Sequence, residues 1–288
     1  MAGGWSAVAR PARRLGTAVI RRRRPLLGVV LAIAAVAALL DGGSDVPARR
    51  GGQPLVATVP SLLGSGHRHP PLAPTRGNGL ACVAKGPVVR RRGRADRRRR
   101  VALTFDDGPS PFTARILREL ERRKARATFF QLGREVVRRP WATRQLVRSG
   151  HAIGNHSFNH PSLAPADRRA GHELAATQAA LRHAVGHAGC LMRPPGGDIG
   201  DRLKRLLRRR GELAIMWDVD PQDWRRPGTK AIVRNVLRDV RPGSIVLLHD
   251  GGGDRTQTLQ AVPWIIKGLR RRGFHLVTVP TLLGLDRR

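Results

Sequence analysis

The sequence predicts an α/β fold in which strands and helices alternate, and three observations predict it. Seven short apolar runs, at 101–105, 127–131, 151–155, 190–193, 213–217, 244–248 and 275–279, have strand-like length and composition. Segments between them carry apolar residues near helical spacing, as Ala170, Leu174, Leu181 and Val185 do. Gly150, Gly211 and Gly273 stand where helices should stop. Repeated strand–helix units imply a parallel sheet covered by helices, either open and doubly wound or closed as a barrel.

The region before these units is organised differently. Residues 1–24 are a basic segment with seven arginines, Arg10, Arg13, Arg14 and 21–24, which holds this end in the cytoplasm. Residues 25–40 are apolar and uncharged, and read as a signal anchor or as the core of a cleaved signal peptide. In the first reading the protein stays on the cell membrane with its globular domain, 101–288, outside; in the second it is secreted. Residues 41–100 are rich in Gly, Pro and Arg, lack a sustained apolar period, and read as a disordered basic linker.

The chain of 288 residues has 54 Lys and Arg against 20 Asp and Glu, a net charge of +34. That balance suits a polyanionic neighbour. Nucleic acid is not expected, because there is neither zinc-finger spacing nor a basic stretch interleaved with aromatics. Anionic cell-wall polymers and lipid head groups remain as partners. Two cysteines, Cys82 and Cys190, are too few for a disulfide framework and allow one bridge at most.

Polar, reactive residues follow the C-terminal ends of five runs, where parallel βα folds build their sites. They are Asp106 and Asp107; His156 and His160; Arg193; Asp218, Asp220 and Asp223; and His249 and Asp250. Asp107, His156 and His160 form a carboxylate and two-imidazole set for zinc or a related divalent metal, with positions left open for water and substrate. Asp106, whose side chain should leave the strand on the other side from its neighbour's, suits a general base. Arg193, fixed by the prolines and glycines after it, is suited to hold Asp106 ionised. His249 completes an acid/base pair, and a carboxylate such as Asp223 would keep it protonated.

These residues stand in five ordered motifs: TFDDGPS at 104–110, HSFNHP at 156–161, RPPGG at 193–197, DVDPQDW at 218–224 and LLHD at 247–250. In this the chain resembles the polysaccharide deacetylase family, also called the NodB-homology domain or carbohydrate esterase family 4. The resemblance implies a distorted (β/α)7 barrel and removal of N-acetyl groups from amino sugars of a polysaccharide, peptidoglycan or chitin-like, with release of acetate. It implies Asp106 as base; Asp107, His156 and His160 as ligands of a divalent metal, Zn2+ or another transition ion such as Co2+; Arg193 as tether of the base; and His249 as acid, tuned by Asp223. Trp224 and Leu247 would wall the acetyl pocket, and the Gly196 N–H would contact the oxyanion. Many members carry an aromatic residue where this chain has Gly196, and the chain has no Tyr. Sugar stacking at that position is therefore lost. The rival reading with the same metal and acid/base set is a metal-dependent amidase acting on a non-sugar amide.

Overall fold

In a computed structural model, residues 89–93 and 98–285 are described. The basic segment, the apolar run 25–40 and most of the linker lie outside the described residues, as does Cys82. Cys190 is disulfide-bonded. Among the described residues no helix is long and apolar enough to cross a membrane.

Eight parallel strands form a curled sheet. In chain order they are β1 (Val89–Arg90), β2 (Arg100–Gly108), β3 (Ala127–Gln131), β4 (Ala152–Asn155), β5 (Leu191–Met192), β6 (Leu213–Ile215), β7 (Ile245–His249) and β8 (His275–Leu276). The pairing order is β1-β6-β5-β4-β3-β2-β7, with β8 joined to the start of β2. Each of the seven apolar runs contains a strand, and β1 adds one from within the segment read as linker. The barrel is half closed. β6 and β7 do not pair directly, and a single bridge, Val219 to Val246, spans the gap between them.

Helices cover the outside: α1 (Pro111–Arg122), α2 (Gly133–Arg138), α3 (Pro140–Arg148), α4 (Arg168–Val185), α5 (Asp201–Arg210), α6 (Thr229–Asp239), α7 (Thr256–Arg271) and α8 (Val279–Leu283). Their ends follow local chemistry. Ser110 caps α1 by accepting from the Phe112 N–H, and its own N–H is held by the Thr113 hydroxyl. Asp167 caps α4 by accepting from the Ala170 N–H. Gly150, Gly211 and Gly273 follow α3, α5 and α7 with φ of 76°, 66° and 73°, a conformation that glycine enters without a Cβ penalty. The run at 275–279 is strand only at its start. Thr278 accepts from the Thr281 N–H and Pro280 occupies the first turn, so the rest of the run becomes α8.

Side-chain alternation along the strands separates the core into two sides. On β2, Val101, Leu103 and Phe105 pack outward against the helices with Ile116, Leu120 and Ile265. Ala102 belongs instead to an inner cluster with Phe130, Leu191, Ile215 and Ile245, into which α8 inserts Val279 and Leu282. Thr104 and Asp106 continue the inner row. On β7 the same period assigns Val246 and Leu248 outward and Ile245 inward, so Leu247 and His249 follow Ile245. The inward rows of β2 and β7 therefore turn from apolar to polar as they approach the C-terminal mouth.

Candidate active site

Thr104, Asp106 and Arg193 form the floor of the mouth. Arg193 Nη1 donates to Asp106 Oδ1 and to Thr104 Oγ1, both at 2.8 Å, while its Nε and Nη2 donate to the carbonyls of Ile215 and Met216. Its guanidinium lies 4.2 Å from the Phe130 ring centroid and 5.4 Å from that of Trp217. A fully buried cation is thus satisfied on its edges by acceptors and on its faces by rings.

Asp106 and Asp107 do not diverge as neighbours on a regular strand do. The register of β2 shifts between Asp106 and Gly108, and Asp107 has φ of 73°. Both carboxylates therefore approach one imidazole: His156 Nε2 lies 3.8 Å from Asp106 Oδ2 and 3.4 Å from Asp107 Oδ1. The separation expected from strand alternation is corrected by this bulge, which turns Asp107 back into the mouth.

His156 Nδ1 donates to the Arg193 carbonyl at 2.8 Å, which leaves the Nε2 lone pair facing Asp107. His160 Nε2 is also 3.4 Å from Asp107 Oδ1. The loop carrying both histidines is held from below. Asn155 Oδ1 accepts from the Ser157 N–H, and the buried carboxylate of Glu173 on α4 accepts from the N–H groups of Phe158 and Asn159.

The donor set fits a divalent cation. Ligand atoms of Asp107, His156 and His160 all lie within 4.8 Å of one another, and Asp107 Oδ1 is buried with no hydrogen-bond partner. Burial opposes the charge of Asp107, yet His156, His249 and His160 hold its pKa well below the ordinary carboxylate value. Burial likewise disfavours a charged His156, but Asp106 and Asp107 raise its pKa. The centre of the cluster is a place that attracts positive charge, as a cation site must.

Across the mouth, His249 Nδ1 donates to Asp223 Oδ1 at 2.8 Å, and its backbone N–H donates to Asp223 Oδ2. Thr258 from α7 donates its hydroxyl to the same Oδ2 at 2.7 Å. Burial lowers the pKa of His249, but the hydrogen bond and charge of Asp223 outweigh it and raise the value overall.

The other aspartates after β6 do not join this pair. Asp218 accepts from the Ile245 N–H and the Ser244 hydroxyl, at the start of β7 and thus at the opposite end from His249. Asp220 is exposed and accepts from the Gln222 N–H. The expectation that one mouth collects all three is corrected: the chain from 216 to 219 runs alongside β7 to bridge the gap in the sheet. Asp250 is buried with Oδ1 unpartnered, and burial pushes its pKa up to about 7. Leu247 is buried on the inner row of β7, one step below His249, and Trp224 is 45 % exposed on the loop that carries Asp223. Gly196 has φ of 64°, is exposed, and its N–H enters no backbone hydrogen bond among the described residues.

Thr104, Trp217, Thr258 and Glu173 were not singled out from the sequence. Thr104 was legible, since it lies two residues before Asp106 and so shares its face. The others act across sequence separations that no local pattern encodes.

The chain is similar to known proteins in sequence and in fold. Residues 93–214 match the family model described as polysaccharide deacetylase. A peptidoglycan-N-acetylglucosamine deacetylase of Bacillus cereus is 39% identical over 187 residues, 64% of this chain and 87% of that one. A chitooligosaccharide deacetylase of Bradyrhizobium is 38% identical over 209 residues, 68% of this chain and 95% of that one. The solved family 4 carbohydrate esterase of Streptomyces lividans, in complex with acetate, superimposes with a TM-score of 0.58 at 35% identity, over 62% of this chain and 91% of that one. The chain belongs to the polysaccharide deacetylase family and is a polysaccharide N-deacetylase, a hydrolase.

Proposed function

We propose that the protein removes N-acetyl groups from the glycan of the cell wall, with peptidoglycan rather than chitin-like oligomers as its natural substrate, and that it works outside the membrane. The observation that carries the chemistry is the pairing at one mouth of an Asp/His/His cluster with two tethered groups, Asp106 held by Arg193 and His249 held by Asp223. The export-type basic and apolar segments at 1–40 support an extracellular wall substrate.

In this reading Asp107, His156 and His160 hold a divalent ion, zinc by preference for its mixed N and O ligands. When bound, the ion polarises the acetamide carbonyl and acidifies water. Asp106, ionised and oriented by the Arg193 guanidinium, removes a proton from the attacking water. The oxyanion that develops on the former carbonyl receives a hydrogen bond from the Gly196 N–H, which needs no side chain to serve. His249 keeps its Nδ1 proton in the hydrogen bond to Asp223 and gives its Nε2 proton to the departing amine nitrogen, so the products are acetate and a free amino sugar. Trp224 and Leu247 flank the acetyl methyl.

The test is acetate release from purified peptidoglycan and from an N-acetylglucosamine oligomer, followed by mass spectrometry of the glycan. Faster release from peptidoglycan, with loss of one acetyl mass per modified sugar, is expected. Release from the free oligomer alone would reverse the substrate order, and release only from a non-sugar acetamide would favour the amidase.

A further inference from the structure

The outer groove between α1 and α7 has a composition that catalysis does not use. It has a volume of about 560 Å³ and is lined by Arg123, which follows α1, and by Pro263, Trp264, Ile266, Lys267, Arg270 and Arg271 of α7. Trp264 is 57% exposed, an unusual position for the largest apolar side chain. Lys267 Nζ lies 5.4 Å from its ring centroid. The α7 segment 256–271 contains no Asp or Glu. Arg123 is paired with Glu119, and Arg270 is spent on the carbonyls of Arg123 and Lys124. Lys267 and Arg271 are exposed and make no ion pair among the described residues. They stand one helical turn apart on the same face.

Each feature narrows the occupant. Lys267 and Arg271, with no acid in the lining to pair them, repel a second copy of this basic chain and select a polyanion. The aromatic ring beside Lys267 adds a stacking surface for the carbon face of a sugar or polyol. The depression follows α7 from Pro263 to Arg271, a shape that takes a thread, whereas a bilayer surface is met by apolar side chains that protrude together. We propose that this groove binds a linear phosphodiester polymer, with Trp264 against its polyol units and Lys267 and Arg271 on neighbouring phosphates. α7 runs from the loop after His249 to the start of β8, so the groove lies on the flank, away from the mouth. A polymer bound there would hold the enzyme in an anionic matrix while leaving the mouth free.

The test uses the full-length chain and fluorescently labelled poly(glycerol phosphate), with affinity read by anisotropy at several salt concentrations. Trp264→Ala should weaken binding about tenfold, as loss of a central aromatic anchor does. Lys267→Gln with Arg271→Gln should weaken it and reduce the salt slope by about one to two. Arg202→Gln with Arg205→Gln on α5 removes the same charge from exposed positions elsewhere and should change affinity less than about twofold. All three variants should keep the wild-type melting temperature, since the side chains are exposed. An equal loss in the α5 control would reduce the effect to diffuse charge and overturn the site. An unchanged Trp264→Ala would do the same. Tighter binding to phosphatidylglycerol vesicles through the same residues would replace the polymer with a membrane surface.

Discussion

Arg193 reaches Asp106 across the inside of the curled sheet, Nη1 to Oδ1 at 2.8 Å, from a side chain with no exposed surface. Two opposite charges are thus buried together, and each depends on the other. Removing one partner of such a pair costs about 3–5 kcal/mol because the remaining charge is stranded. Arg193→Met should therefore lower the melting temperature by roughly 10 °C and abolish most turnover. Asp106→Asn on that background should recover stability but no activity. Thermal melts of the two variants decide the matter, and an unshifted melt for Arg193→Met would remove the pair from the account.

The metal cluster makes a prediction that does not need catalysis. An ion that binds only the folded state stabilises it by about 2.7 kcal/mol at a concentration 100 times its Kd. Wild-type protein stripped with a chelator should gain several degrees of melting temperature when zinc is restored, while Asp107→Asn and His156→Ala should gain almost none. Acetate release should be lost and regained in step. Full activity in protein shown by elemental analysis to be metal-free would end the proposed mechanism.

Glu173 offers a test of how the ligand loop is positioned. Its carboxylate accepts from three donors, the N–H groups of Phe158 and Asn159 and the side-chain amide of Asn159. Glu173→Gln keeps the shape but removes the charge that strengthens those bonds. Metal affinity should fall by roughly 10- to 100-fold, the range for residues that orient ligands. An unchanged affinity would show that the loop holds its own geometry.

Much of this was legible in the sequence for a physical reason. Strand and helix periods are local, so the seven runs, the ends of α3, α5 and α7 and the apolar face of α4 could be read from neighbouring residues. The candidate cation cluster of Asp107, His156 and His160 was legible because residue type limits what can bind a cation. What escaped notice depended on departures from regular geometry or on long-range contact. The bulge at Asp107 breaks the alternation used to separate it from Asp106, and nothing local distinguishes Asp218, which bridges the sheet, from Asp223, which holds His249. Glu173 reads as an ordinary helix carboxylate until the loop it supports is seen.

Asp250 should govern stability rather than turnover. Burial raises its pKa to about 7, with Asp107 and Asp106 adding to the shift against the Thr113 hydroxyl that favours the charge. Because the folded pKa lies above the unfolded value of 3.8, the folded state binds the proton more tightly. Its stabilisation is complete below about pH 4 and is lost as pH rises towards 7, by at most about 4 kcal/mol. Asp250→Asn should remove that dependence, melting higher than wild type at pH 8 and close to it at pH 4. A constant difference between the two proteins at both pH values would mean that Asp250 does not titrate in this interval.

The last prediction concerns the acid. Burial lowers the pKa of His249, and Asp223, with smaller contributions from Asp106 and Asp107, raises it overall. A general acid must hold its proton, so activity should fall on the alkaline side as His249 deprotonates, at a pH above the ordinary histidine value near 6.5. Asp223→Asn takes away the largest contribution that raises the pKa, the hydrogen-bonded charge, and so moves it down. The alkaline limb should therefore shift to lower pH while the acidic limb, which does not depend on His249, stays where it is. His249→Ala should lose the alkaline limb and about 10²- to 10⁴-fold in kcat, the range for a positioned acid. Profiles of kcat/KM against pH for the three proteins, at equal metal content, distinguish the roles. If the alkaline limb is the same in all three, the proton reaches the leaving amine from elsewhere, and Asp250, the buried acid next in sequence, becomes the residue to replace.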